Sequence, residues 1–153
     1  SLLKQIKNKF KNDQYILNKY IRNPFYNYKC VLIKINKKKT VFLIFRKIKI
    51  KKRSIIRIID FIGSPKDFEK LHSVLNKILK ENNSEYMDIL VSENFNFKPI
   101  LVGFKKKRKE VIPSYFEPLI KKNILHMCGS NERFYTNMFI FKGDGDSERP
   151  NRI

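Results

Sequence analysis

The 153-residue sequence contains no alanine and no tryptophan, only five glycines and only two cysteines. No apolar run reaches the 18 or so residues that a membrane helix needs, and no signal peptide is visible. These absences point to a cytoplasmic chain with no membrane partner. Cys30 and Cys128 are far apart and lack paired-ligand spacing, so they read as small buried hydrophobes in a reducing compartment. His126-x-Cys128 would supply two zinc ligands, but no second pair stands at finger-like spacing, so no metal is expected.

Acidic residues are also scarce. Fourteen Asp and Glu against 34 Lys and Arg give a formal net charge of +20. The excess is mostly lysine, 26 against 8 arginines, accompanied by 21 isoleucines and 15 asparagines. Lys, Ile and Asn are residues of A/T-rich codons, whereas the missing Ala and rare Gly lean on G/C, so the charge reads first as genome bias and solubility. Specific nucleic-acid readers favour the planar fork of arginine, which is scarce here.

The length suggests one domain, with a core and the acidic, glycine-jointed tail 143–153 following a domain over 1–142. Residues 1–22 read as helical, with a cap signal at Asn12-Asp13 and an end at Asn23-Pro24. The segments 28–35, 40–50 and 54–62 read as strands, the third nearly continuous in isoleucine and therefore central. Lys47, Lys49 and Lys51 alternate as the solvated face of a strand end. In "GSPKDFEKLHSVLNKILKENN", Ser64 is an N-cap, Pro65 suits the first helical position and Asp67 completes a capping box. Phe68, Leu71, Leu75, Ile78 and Leu79 then trace an apolar stripe with His72 at its edge, partly buried. Residues 86–93 read as a fourth strand and 97–104 as a short helical piece closed by Gly103. Two prolines break 111–120, and 123–128 and 134–142 read as the last strands.

This order of elements, over about residues 1–142, resembles the GNAT-like acyltransferase fold lacking its first strand. Two stretches carry the likeness: "IIDFIGSPKDFEKL" at the junction from third strand to capped helix, and "PILVGF" before the last hairpin. The tail "GDGDSERPN" also looks like the ending of bacterial GNAT-like proteins among surface-polysaccharide functions. The resemblance implies an α+β, three-layer fold with a central, mostly antiparallel mixed sheet flanked by helices. It implies an N-acyltransferase, or its C-terminal half, moving an acyl group from acyl-CoA (acetyl-CoA) to an amino sugar or other small amine. The phosphate turn departs from the family's pattern. The equivalent stretch is Ile62, Gly63, Ser64, Pro65 and Lys66, in which Pro65 removes an amide that would bind phosphate. A donor site so degenerate, together with the start at Ser1, suggests a C-terminal domain that completes an enzyme by packing on an N-terminal domain of the same protein.

The resemblance makes Asp60 the best-placed acid, and an ion pair with Arg57 or Arg46 is its structural alternative. Tyr115 would protonate a leaving thiolate or simply pack, with Phe116 beside it at the substrate. In the tail, Asp144-x-Asp146-x-Glu148 has the spacing of a calcium loop's start, but Arg149-Pro150 stands where glycine is required. Gly143 and Gly145 imply a required turn. Arg149 would hold one aspartate while the other, Asp144 or Asp146, meets the acceptor amine. Two other classes compete. One is a nucleic-acid-binding module using basic clusters at 37–39, 47–53 and 105–109 on one face. The other is a non-catalytic GNAT-like scaffold domain.

Overall fold

A computed structural model describes residues 11–92, 97–105 and 139–144. It is an α+β structure built on a four-stranded mixed sheet in the order β1-β2-β3-β4. The strands are β1 (Lys29–Asn36), β2 (Lys39–Ile50), β3 (Arg53–Ile62) and β4 (Met87–Ile89). The first three are joined by tight turns and pair antiparallel, while β4 returns through helices and pairs with β3 in parallel. As its isoleucine run predicts, β3 is central and is buried from Ile55 to Ile62. Among the described residues no helix is long and apolar enough to cross a membrane.

Each sheet face has its own apolar cluster. On one, Val41, Leu43, Phe45, Ile56, Ile58 and Phe61 meet Phe68, Leu71, Leu75 and Ile78 of α2 (Pro65–Phe68) and α3 (His72–Glu81). On the other, Phe42, Ile44, Ile59 and Ile62 meet Ile16 and Tyr20. Ile16 ends α1 (Asp13–Ile16), and Tyr20 lies in the π-helical turn Leu17–Ile21 that follows.

The caps read from sequence are in place. The Asn12 side chain accepts from Tyr15 N, and Asn23 ends the π turn by donating to Lys19 O. Ser64 and Asp67 form a reciprocal capping box, and Lys39 pairs with Asp67 at 2.7 Å. Burial alone would raise the Asp67 carboxyl; Lys39 and Ser64 outweigh it and hold it below its ordinary value. Gly103 closes the 3₁₀ turn Pro99–Val102 with a left-handed φ of 87°.

The helix after Ser64 is broken, contrary to its continuous apolar period. Lys70 N and Leu71 N reach back only three residues, to Asp67 O and Phe68 O, which tightens the chain before α3 starts. The break keeps Leu71 and Leu75 buried but swings His72 out of the stripe's edge. His72 is exposed, with the Asn76 amide nitrogen 3.3 Å from its ring, rather than partly buried as its spacing suggests. Lys47 is not simply solvated either, since it is half-buried and donates to Asn82 O at the end of α3. The last strand read over 134–142 falls partly outside the described residues. Within them, Phe141 bridges Val91, and Lys142–Asp144 is a 3₁₀ turn rather than strand.

Ser64→Ala removes the acceptor for Asp67 N and should lower unfolding stability by about 1 kcal/mol, read as a lower urea midpoint at unchanged slope. An unchanged midpoint would show that Lys39 and Asp67 hold the helix start without the cap.

Candidate functional site

The site begins with an irregularity in the central strand. Ile44 of β2 faces Asp60, but the next residue, Phe45, faces Ile58, so Ile59 is an extra residue in β3. A bulge of this kind resets the alternation of faces. Ile56 and Ile58 point toward α3. Without the bulge Asp60 would follow them into that apolar layer. With it, Ile59 and Asp60 both turn toward α1, and Phe61 takes the α3 side.

The carboxylate is then met on every side. Tyr20 Oη donates to Oδ2 at 2.7 Å, and the Phe61 amide and Lys11 Nζ reach Oδ1 at 2.7 and 2.5 Å. Lys11 stands one residue before the Asn12 cap, which fixes where its stem leaves α1. The ion-pair alternatives for Asp60 are corrected. Arg57 makes a two-pronged pair with Asp88, its register partner on β4, at 2.9 and 2.6 Å. Arg46 lies over the Tyr26 ring at 4.1 Å.

A second carboxylate arrives from the C-terminal end. Pairing of β3 with β4 stops at Ile58↔Ile89, although β3 runs on to Ile62. Beyond that point residues 139–142 lie along the continuation of β4, through Ser92 N to Ile140 O and Lys142 N to Leu90 O. The turn Lys142–Asp144 then leans back onto β3. Asp144 Oδ2 accepts from Phe141 N at 2.8 Å, and the Asp144 carboxylate binds Lys11 Nζ through Oδ1 at 2.6 Å. Gly143 makes this approach possible: a Cβ there would lie 2.5 Å from Tyr20 Oη and 2.8 Å from Ile59 O. Its requirement is therefore close packing.

One ammonium thus sits between two aspartates 84 residues apart in sequence, numbers 60 and 144. Asp60 is fully buried, whereas the side chains of Lys11 and Asp144 keep 11% and 20% of their exposure. The site therefore opens to solvent on the Lys11–Asp144 side. Burial pushes the Asp60 carboxyl up; Lys11 and the Tyr20 hydrogen bond oppose it, and Asp144 adds to it. Burial would lower Lys11, but the two carboxylates prevail and hold its ammonium protonated above the ordinary lysine value. Tyr20 is pushed up by burial and then by Asp60, so it remains a hydroxyl donor.

Of the residues expected from sequence, Asp60 and Asp144 are brought together. Tyr115, Phe116, Asp146 and Arg149 lie outside the described residues. The partner found for Asp144 is Lys11. At the expected phosphate turn, Ile62 is buried, Gly63 and Lys66 are exposed, and Ser64 is half-buried. Ser64 N donates to Asp67 Oδ2 at 3.0 Å, Pro65 has no N–H, and a Cβ at Gly63 would meet the Phe61 ring at 2.6 Å. The Ser64 groups serve the chain's own cap, and Gly63 serves close packing against Phe61. Among the described residues no three His, Cys, Asp or Glu side chains converge as a metal site. Cys30 is a half-buried thiol, pushed up by burial.

Lys11 and Tyr20 escaped sequence reasoning as site residues. Tyr20 carries a weak signal, a polar tip on the apolar stripe it shares with Ile16. Lys11 carries none, being one of 26 lysines. A scan against protein-family models, a search of curated proteins and a search of solved structures each gave no significant match.

Two outcomes follow for the site. Gly143→Ala should destabilise by about 1–3 kcal/mol, the usual scale of overpacking, and Gly143→Ala combined with Tyr20→Phe should recover part of that loss. Full stability of Gly143→Ala by urea melt would rule out the close approach. The second outcome concerns pH. The raised Lys11 and Tyr20 values mean that the folded chain holds these protons more tightly than the unfolded one. Their contribution is complete below about pH 10, the unfolded values, and is lost as pH rises through the folded ones. Urea midpoints between about pH 9 and 11 should fall more steeply for the wild type than for Lys11→Met. Parallel slopes would contradict the placement of Lys11.

Proposed function

We propose that the chain is an N-acyltransferase of the GNAT-like type, or the C-terminal half of one, that acylates an amino sugar or other small amine. One observation carries this reading. Asp60 and Asp144 grip a primary ammonium at the carboxyl end of the central strand, beside a parallel strand pair that has just separated. Holding an amine is the recognition that such a reaction needs. In this reading Asp60, fully buried and fixed by Tyr20 and the Phe61 amide, orients the acceptor. Asp144, reachable from solvent, takes a proton from the acceptor's nitrogen. The neutral amine attacks the thioester carbonyl carbon, the C–S bond breaks, the nitrogen gives up its second proton to solvent, and the leaving thiolate is protonated from solvent or from Tyr115. The engaged groups at Ser64 and Gly63 favour a donor that is not held by this domain alone.

The same engaged turn gives some weight to a second reading, a non-catalytic half that completes an enzyme with an N-terminal domain. A nucleic-acid module finds less support. The clusters at 37–39 and 47–53 sit at opposite ends of the 12-residue β2. At about 3.3 Å per residue their nearest members, Lys39 and Lys47, are roughly 26 Å apart. Lys39 is moreover tied to Asp67.

The test is release of free thiol from acetyl-CoA by the complete chain, with glucosamine and small primary amines as acceptors. Release should depend on the amine, and Asp144→Asn or Asp60→Asn should cut turnover about a hundredfold. Calorimetry should give acetyl-CoA a dissociation constant weaker than low micromolar, about −8 kcal/mol. Full turnover in both variants overturns the proposal. No release with any amine favours the scaffold half.

A further inference from the structure

We propose that Lys11 is a built-in occupant of this site, an autoinhibitory ammonium that an incoming primary amine must displace. The proposal takes the acceptor's identity from the acyltransferase reading, but the seat itself is argued from its geometry. Each aspartate turns Oδ1 toward the same Nζ, at 2.5 and 2.6 Å. Each has Oδ2 fixed from behind, by Tyr20 Oη in one case and by the Phe141 amide in the other. The two acceptor oxygens are therefore aimed before any ammonium arrives, and removing Lys11 leaves them aimed. A purely structural tie has no need of a second acid. Here two carboxylates meet one ammonium, and Asp144 raises the cost of ionising Asp60 rather than lowering it.

Displacement requires little of the fold. Asp60 is sealed, but Lys11 and Asp144 both reach solvent, so the ammonium leaves on the side from which a ligand would enter. Rotation about the lysine's methylenes would carry Nζ out on that side while the Asn12 cap stays in place. The chemical class selected is a small primary ammonium, which brings N–H donors and fits where one methylene-borne –NH₃⁺ already fits. A quaternary ammonium brings the charge without the donors.

The experiment uses Lys11→Ala in the complete chain and n-propylammonium chloride as probe, with tetramethylammonium chloride at equal ionic strength as control. Propylammonium should raise the melting temperature of Lys11→Ala saturably, and tetramethylammonium should not. The wild type should require at least about tenfold more propylammonium, because its own lysine competes. Equal shifts in wild type and variant, or no distinction between the two salts, overturn the proposal. If Lys11→Ala does not fold, the wild type decides. The ¹⁵N signal of Lys11 Nζ should move toward that of exposed lysines as propylammonium is added, and a signal that stays fixed overturns the proposal. Thiol release separates this inference from the acyltransferase reading. Specific propylammonium binding without release supports the seat and removes that reading. Release without specific binding overturns the seat and leaves the reading standing.

Discussion

The extra residue in β3 is the constraint from which the site follows. A strand buried on both faces has no room for an acid unless its side chain is aimed at a partner, since an unpaired buried charge is strongly disfavoured. The bulge at Ile59 supplies the aim. It moves Asp60 from the α3 layer, an apolar cluster of Phe68, Leu71 and Leu75, to the α1 layer, where Tyr20 and Lys11 wait. Everything else in the cluster is placed relative to that carboxylate. The C-terminal turn, too, approaches β3 at Ile59, with only a glycine between the two backbones.

Because buried ion pairs contribute little to stability on balance, their presence calls for another explanation. Replacing Asp60, Tyr20 and Lys11 with apolar residues of similar size would be the simpler way to join α1 to the sheet. Under the proposed function, the retained charges, with an acid in excess, serve recognition of an amine. Their position at the end of the central strand, where β3 and β4 part, is where such recognition would be useful to an acyl-transfer reaction.

Much of the scaffold was legible in sequence because its signals are local. Ser64-Pro65 with Asp67, Asn12, Asn23-Pro24 and Gly103 each act within four residues, and each stands where its chemistry requires. The three long strands were legible from β-branched runs. The bulge was not, because "SIIRIIDFI" is apolar on both faces and offers no alternation for an extra residue to interrupt. The break at Lys70-Leu71 was hidden for a similar reason, with no glycine or proline marking it and the apolar period surviving it. Asp60 and Asp144 could be named as candidates singly, but their meeting depends on a lysine 49 residues from one and 133 from the other. Pairing over such separations is decided by topology, and one lysine among 26 carries no mark of it.

The central claim is that Asp60 and Asp144 act together on one ammonium. It is tested most directly by a double-mutant cycle of Asp60→Asn and Asp144→Asn on unfolding free energy, repeated in a Lys11→Met background. Shared use of Lys11 predicts a coupling above about 0.5 kcal/mol in the wild-type background that shrinks when Lys11 is methionine. Additivity within about 0.3–0.5 kcal/mol in both backgrounds would contradict it.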